Sequence, residues 1–169
     1  FQTNLKFGEQ KRIFSMIPGL EHAEFYRYGV MHRNTFLDSP RLLEPDFSLR
    51  KAPHIFFAGQ ITGVEGYMES AASGLLAGLH LARRLQQQAP TLPPETTMIG
   101  ALSRYVSRYP GKDFQPMGSN MGILPSLEDP VRDKRLRYQV LADRSLKDLA
   151  DWMALQHIDP AVAEGGMQE

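Results

Sequence analysis

The clearest pattern along the chain is a short apolar run, a cluster of glycines and then a helical stripe. His54 to Phe57 carries an isoleucine and two phenylalanines, which suits a buried strand. Gly59, Gly63 and Gly66 follow, and glycines bunched at a strand end allow positive φ or a close backbone approach to a ligand. From about Gly66 to Leu85 the residues suit a helix, with Ala71, Gly74, Gly78 and Ala82 recurring at helical spacing. Two glycines inside a helix cost roughly 1 kcal/mol each relative to alanine. Close packing against a neighbouring backbone, or a cofactor, offsets that cost.

The flanking pattern is helical and extended by turns. Leu5 to Ile17 reads as a short basic amphipathic helix stopped by Pro18-Gly19. Glu24 to Met31 is rich in aromatics and predicts a strand. Ser39-Pro40, Glu44-Pro45 and Ala52-Pro53 bracket extended or turn segments, with brief strand pairing expected at Leu42-Leu43 and Phe47 to Leu49. Gln86 to Pro94 reads as a proline-rich loop. A second helix is expected from about Glu95 to Ser107, with Met98, Leu102, Tyr105 and Val106 on one side. Phe114 to Pro125 has little periodicity and reads as an ordered, packed loop or as a linker. Asp129-Pro130 opens a last helix whose apolar face is Leu136, Val140, Leu141, Leu146, Leu149 and Trp152. Beyond His157 the expectation is a frayed tail.

Composition narrows the classes. The 169 residues, 42% hydrophobic, suffice for one domain with an appended helical part. Lysine plus arginine (19) equals aspartate plus glutamate (19), so no global field favours nucleic acid or membrane, and only local patches can. There is no cysteine, which excludes a disulfide framework, a thiolate metal site and a thiol nucleophile within the chain. No apolar run approaches the ~20 residues of a membrane helix. The first residues carry neither a signal-peptide pattern nor an initiator methionine, so the expectation is the interior of a longer chain.

Three places carry candidate chemistry. A helix amino terminus after a strand presents free N–H groups and the positive dipole end, suited to a phosphate or a flavin carbonyl. The competing reading is an ordinary β-α unit. The spacing is not the dinucleotide fingerprint, because Gly59 has no glycine two residues on. His32-Arg33-Asn34-Thr35 places polar groups at a strand end, as a substrate-facing edge or a satisfied turn. Arg132, Lys134, Arg135 and Arg137 lie where the helix dipole disfavours them, so they imply a phosphate contact or an acidic partner within the chain.

Four stretches together resemble one family: Gly29 to Phe36, Phe56 to Tyr67, Glu69 to Gly78 and Phe114 to Met117. They are similar to the bacterial folate- and FAD-dependent tRNA (uracil-5-)-methyltransferases, from about Asn4 to about Leu149. Ala58-Gly59-Gln60-Ile61-Thr62-Gly63-Val64-Glu65-Gly66-Tyr67 is the most specific run. The related wobble-uridine modifying flavoproteins of the GidA type share Ala58-Gly59-Gln60 and Gly66-Tyr67, but typically not Val64-Glu65 or the Gly29 to Thr35 segment. The resemblance implies an α/β chain: the C-terminal part of a Rossmann-like FAD-binding domain, with an incomplete parallel sheet and additional C-terminal helices. Residues 1–45 would end an inserted domain and supply return strands, 46–90 the FAD-binding strand-turn-helix, 91–155 a C-terminal helical part and 156–169 a disordered tail.

It also implies a chemistry. NADH or NADPH reduces bound FAD, and the one-carbon unit of 5,10-methylenetetrahydrofolate passes to C5 of a T-loop uridine in tRNA. By resemblance, Gly59, Gln60, Thr62, Gly63, Glu65, Gly66 and Tyr67 close over FAD, and the helix beginning near Gly66 aims at the flavin's pyrimidine edge. His32, Arg33 and Asn34 are implied in the flavin and folate pocket. Arg132, Lys134, Arg135 and Arg137 are implied on the tRNA backbone. The family's Gly-x-Gly-x-x-Gly and its cysteines are not in this sequence, so no catalytic residue is implied here. The expected partner is the N-terminal half of the same polypeptide, in the bacterial cytoplasm, and the chain alone should be inactive. The alternatives are a wobble-uridine flavoprotein and a non-catalytic RNA-binding module of the same fold.

Overall fold

The structure, a computed structural model, describes residues 3–30 and 34–158. The chain divides into two compact units, Phe1–Thr35 and Phe36–Glu169.

In the first unit, helix α1 spans Phe7–Phe14, within the amphipathic stretch and shorter than it. The buried Gln10 side chain donates to the carbonyls of Leu5 (2.7 Å) and Gly29 (2.8 Å) and accepts from the Gly29 N–H (2.8 Å). Phe7 stacks on Tyr28 at 5.5 Å, Tyr28 on Phe25 at 5.8 Å and Phe25 on Phe14 at 5.9 Å. The strand expected over Glu24 to Met31 is absent among the described residues of that stretch. The physical reason is visible: a side-chain amide, not a neighbouring strand, satisfies Gly29, and the rings stack along α1 rather than alternate across a sheet. Met31 lies outside the described residues.

The second unit begins with a single helical turn, α2 (Ser39–Leu42), followed by β1 (Ser48–Leu49) and β2 (Ala52–Phe56). The strands pair antiparallel, Ser48 opposite Phe56 and Leu49 opposite Ala52 with an irregularity between, and Leu43 adds an isolated antiparallel bridge to Leu49. The expected brief pairing at Leu43 and Leu49 is therefore present. The expected parallel sheet is not: among the described residues the sheet is this two-stranded antiparallel ribbon. A parallel neighbour requires a crossover connection, whereas β1 and β2 are joined by a tight turn at Arg50-Lys51. Nor is the strand buried, since His54 and Ile55 are exposed and Phe56 and Phe57 half-buried. Phe56 and Phe57 pack on the core beside α3, with the Arg84 guanidinium over the Phe56 ring at 5.7 Å.

Three helices complete the unit. Helix α3 is Tyr67–Leu85, α4 is Met98–Arg108 and α5 is Lys134–Leu155. Helix α4 starts later than Glu95 because the Thr97 hydroxyl caps it, accepting from the Gly100 N–H at 3.1 Å. Helix α5 starts later than Asp129-Pro130 because Asp133 is its cap, accepting from the Leu136 N–H at 2.7 Å. The core gathers Leu43, Phe47, Val64, Leu76, Ala77, Leu102, Val106 and Phe114. A smaller cluster of Ala101, Leu124 and Leu141 seats α5. Polar ties hold that helix too: Trp152 Nε1 donates to Thr91 Oγ1 at 3.2 Å, Thr96 donates to Asp148, and Arg144 donates to the carbonyls of Pro125 and Ser126. Leu136 and Leu146, expected on the apolar face, are exposed. Among the described residues no helix is long and apolar enough to cross a membrane.

Candidate functional site

The central stretch folds as its glycines dictate. After β2 the chain makes a short 3-10 turn, Gly59–Thr62, and enters α3. Gly59, Gly63 and Gly66 all have positive φ (76°, 91° and 110°), where side-chain-bearing residues are strained. The turn is tied from inside. The Thr62 hydroxyl donates to the Gly59 carbonyl at 2.8 Å, and the Ser73 hydroxyl accepts from the Gly59 N–H at 2.8 Å. Ser39 donates to the Thr62 carbonyl at 2.7 Å. The side chains of Gln60 and Tyr67 project outward, Tyr67 being 95% exposed.

The aperiodic loop is what secures this turn. Val64 forms a parallel bridge with Met117. Glu65 N–H donates to the Met117 carbonyl and Met117 N–H to the Gly63 carbonyl, both at 2.9 Å. Phe114 packs on Gly63 so tightly that a Cβ there would lie 2.5 Å from its Cζ. Phe36 meets Phe114 edge-on at 6.0 Å. The loop is thus packed, not a linker.

Two residues at the head of α3 escape a sequence reading. Gly66 is the N-cap and offers no side chain of its own. The Glu69 carboxylate instead folds back over Gly66 and accepts from the Ser119 N–H at 3.0 Å. Hydrogen bonding by Ser119, its side chain foremost, together with backbone N–H groups, holds the Glu69 carboxyl below its ordinary value of 4.5. The folded-state value is depressed, so this clamp contributes stability above the unfolded value and loses it as pH falls through the folded one. Glu69→Ala is expected to speed hydrogen exchange across residues 117–120 about three- to tenfold at neutral pH. The difference should close in acid; equal rates at neutral pH would remove Glu69 as a clamp.

Ser70 Oγ is the second. It is buried without a hydrogen-bond partner among the described residues. A Cβ built at Gly59 would stand 4.0 Å from it, in otherwise open space. A buried hydroxyl without a partner is costly, and this oxygen is shut off from solvent. The positive-φ glycines let backbone come close to a flat ligand such as a flavin, while the Glu69 carboxylate stands at the helix end.

The other expected site residues are dispersed. His32 and Arg33 lie outside the described residues. Asn34 is exposed and belongs to the first unit. Lys134, Arg135 and Arg137 lie in the first turns of α5 and Arg132 just before it. None of these four cations is paired with a carboxylate among the described residues. The acidic partner within the chain, one of the two readings of this cluster, is therefore not found there.

Residues 1–89 match the family described as glucose inhibited division protein A. The chain belongs to that family. Within reach of this GidA-family chain are proteins named methylenetetrahydrofolate–tRNA-(uracil-5-)-methyltransferase TrmFO. That of Streptococcus suis is 58% identical over 156 residues, covering 92% of this chain and 35% of the relative. That of Streptococcus agalactiae is 58% identical over 154 residues, 90% of this chain and 35% of the relative. That of Streptococcus pneumoniae is 55% identical over 156 residues, with 92% and 35% covered. The GidA-family chain thus spans about a third of the length of the curated relatives it matches.

Proposed function

We propose that this chain forms the part of a folate- and FAD-dependent tRNA (uracil-5-)-methyltransferase that closes over the flavin. The observation that carries the reading is the turn of three positive-φ glycines that leads from β2 into α3. The identity of 55–58% to proteins bearing that name supports the activity. When bound, FAD supplies the redox chemistry that, with electrons from NADH or NADPH, turns the one-carbon unit of 5,10-methylenetetrahydrofolate into a methyl group on C5 of a T-loop uridine.

The chain's own residues bind and orient. Gly59, Gly63 and Gly66 let backbone approach the flavin, while Gln60, Glu65 and Tyr67 border it. Thr62 shapes the turn by holding the Gly59 carbonyl inward. The dipole of α3 favours negative charge at its head, where the Glu69 carboxylate also lies. Asn34, with His32 and Arg33, lines the flavin and folate pocket, and Arg132, Lys134, Arg135 and Arg137 meet tRNA phosphates. The cysteine thiolate that the family resemblance implies is not supplied by this chain, which has no cysteine.

The same reading accounts for what the fold leaves open. In it, residues 1–45 end an inserted domain, 46–90 return to a Rossmann-like FAD domain, 91–155 form a helical part and 156–169 a tail, in a bacterial cytoplasmic enzyme. Helix α3 exposes a stripe without charge: Tyr67, Met68, Ala71, Gly74, Leu75, Gly78 and Leu85, with Leu75 79% and Leu85 78% exposed. A Cβ at Gly74 or Gly78 would meet nothing. The parallel sheet and the dinucleotide-binding half of the domain, supplied by the rest of the polypeptide, cover this stripe and β2. The test is the visible spectrum of the purified chain, alone and co-expressed with the N-terminal two thirds of the Streptococcus suis relative. A flavin spectrum is expected only on co-expression, and Leu75→Glu should lower it at least about tenfold, because a charge replaces a buried leucine. No flavin in either preparation would overturn the reading in favour of a non-catalytic module.

A further inference from the structure

We propose that a cavity beside the first turns of α5 receives one unstacked nucleotide of the tRNA, base inward and phosphate among the cations. The inference rests on the reading of tRNA as substrate and adds a site to it. The cavity, about 480 Å³, lies between the 121–131 segment and α5, and none of its lining belongs to the Gly59 to Tyr67 turn. Leu124, Leu127, Val131 and Leu141 give it apolar walls, and Arg137 and Tyr138 complete it. Its volume falls within the roughly 300–1,000 Å³ of small-ligand sites.

The wall is preformed. Arg144 holds the Pro125 and Ser126 carbonyls, and the Asn120 side chain accepts from the Gly122 N–H at 3.0 Å. Tyr138 is 39% exposed, with Lys134 Nζ 5.6 Å and Arg137 Cζ 5.9 Å from its ring centroid. Glu128, Asp129 and Asp133 lie in the same stretch, yet Asp133 is committed to capping α5 and none of the three pairs with Arg132, Lys134, Arg135 or Arg137 among the described residues.

A solvated charged face needs neither an aromatic ring nor an apolar cavity. A duplex phosphate track would use the cations and leave the cavity idle. An aromatic ring beside apolar walls, rimmed by unpaired cations, is the arrangement that holds a splayed base and its phosphate. The stacked bases of a duplex cannot enter.

The test uses the full-length protein, a fluorescent T-arm minihelix, intact tRNA and a blunt RNA duplex. Tyr138→Ala is expected to weaken tRNA binding about tenfold, with flavin content and salt slope unchanged, while Tyr138→Phe binds like wild type. Arg137→Gln should reduce the salt slope by about one. Single-stranded oligonucleotide should compete better than the duplex. Wild-type affinity in Tyr138→Ala, or equal competition by the duplex, would overturn the nucleotide site. Methyl transfer to the T-loop uridine is measured alongside. If it occurs while Tyr138→Ala binds normally, only the cavity proposal fails. If it does not occur while Tyr138→Ala still loses RNA affinity, the site stands and the methyltransferase reading fails. If the wild-type protein binds neither RNA nor methylates it, both fail.

Discussion

Gly66→Val in the full-length protein is expected to purify without FAD. Gly66 has φ 110° and ψ 151°, a conformation a β-branched residue essentially never adopts. A Cβ there would also land on the Glu69 carboxylate. Strain of this kind costs on the order of 1–3 kcal/mol, about five- to 150-fold in an equilibrium. Relief is available only by swinging Glu69 away, which releases Ser119 and loosens the loop that pins Gly63 and Glu65. The two effects act on the same few atoms, at the head of α3. The ratio of flavin to protein absorbance reads the outcome directly. Normal flavin content in a folded variant would take the α3 amino terminus out of the cofactor site.

The second large effect belongs to the far end of the chain. Alanine at Arg132, Lys134, Arg135 and Arg137 together is expected to weaken tRNA binding by on the order of a hundredfold at moderate salt. The salt dependence should flatten by about three in the log–log slope, since each neutralised phosphate contributes roughly 0.7–0.9. The physical basis is that these cations stand without carboxylate partners among the described residues, at a helix end whose dipole disfavours them. An unchanged slope would return them to solvated surface.

The strand, glycine turn and helix were legible because each imposes a local signature. Gly59, Gly63 and Gly66 announce positive φ, and the apolar and small residues after them announce a helix. What joins Gly63 and Glu65 to Met117 was not legible, because a parallel bridge between distant segments leaves no period in either. Phe114 to Met117 showed only that something ordered was there. Glu24 to Met31 misled for a different reason: an aromatic run looks the same whether its rings alternate across a sheet or stack along a helix, and only the buried Gln10 amide decides. The exposure of β2 was equally hidden, since an apolar strand carries no mark of whether its covering layer lies in the same stretch of chain. Glu69 and Ser70 read as ordinary helix residues until the turn before them is folded.

The hydrogen bonds of Met117 with Gly63 and Glu65 close a ring of chain that contains α3 and α4. Lengthening that ring in the exposed Gln86 to Gln88 stretch, ahead of the hydrogen bonds that hold Thr91 and Pro93, leaves its two ends where they are, at a cost of only about 0.6 kcal/mol for each doubling of a flexible loop. Removing one residue between Phe114 and Met117 does something else. It pulls the Phe114 ring off Gly63 or shifts the bridge by one residue, and either change moves the turn. The protein therefore measures one short distance strictly and ignores a much longer one, so its tolerance for insertions is set by where the ring is fastened and not by how much of it is exposed.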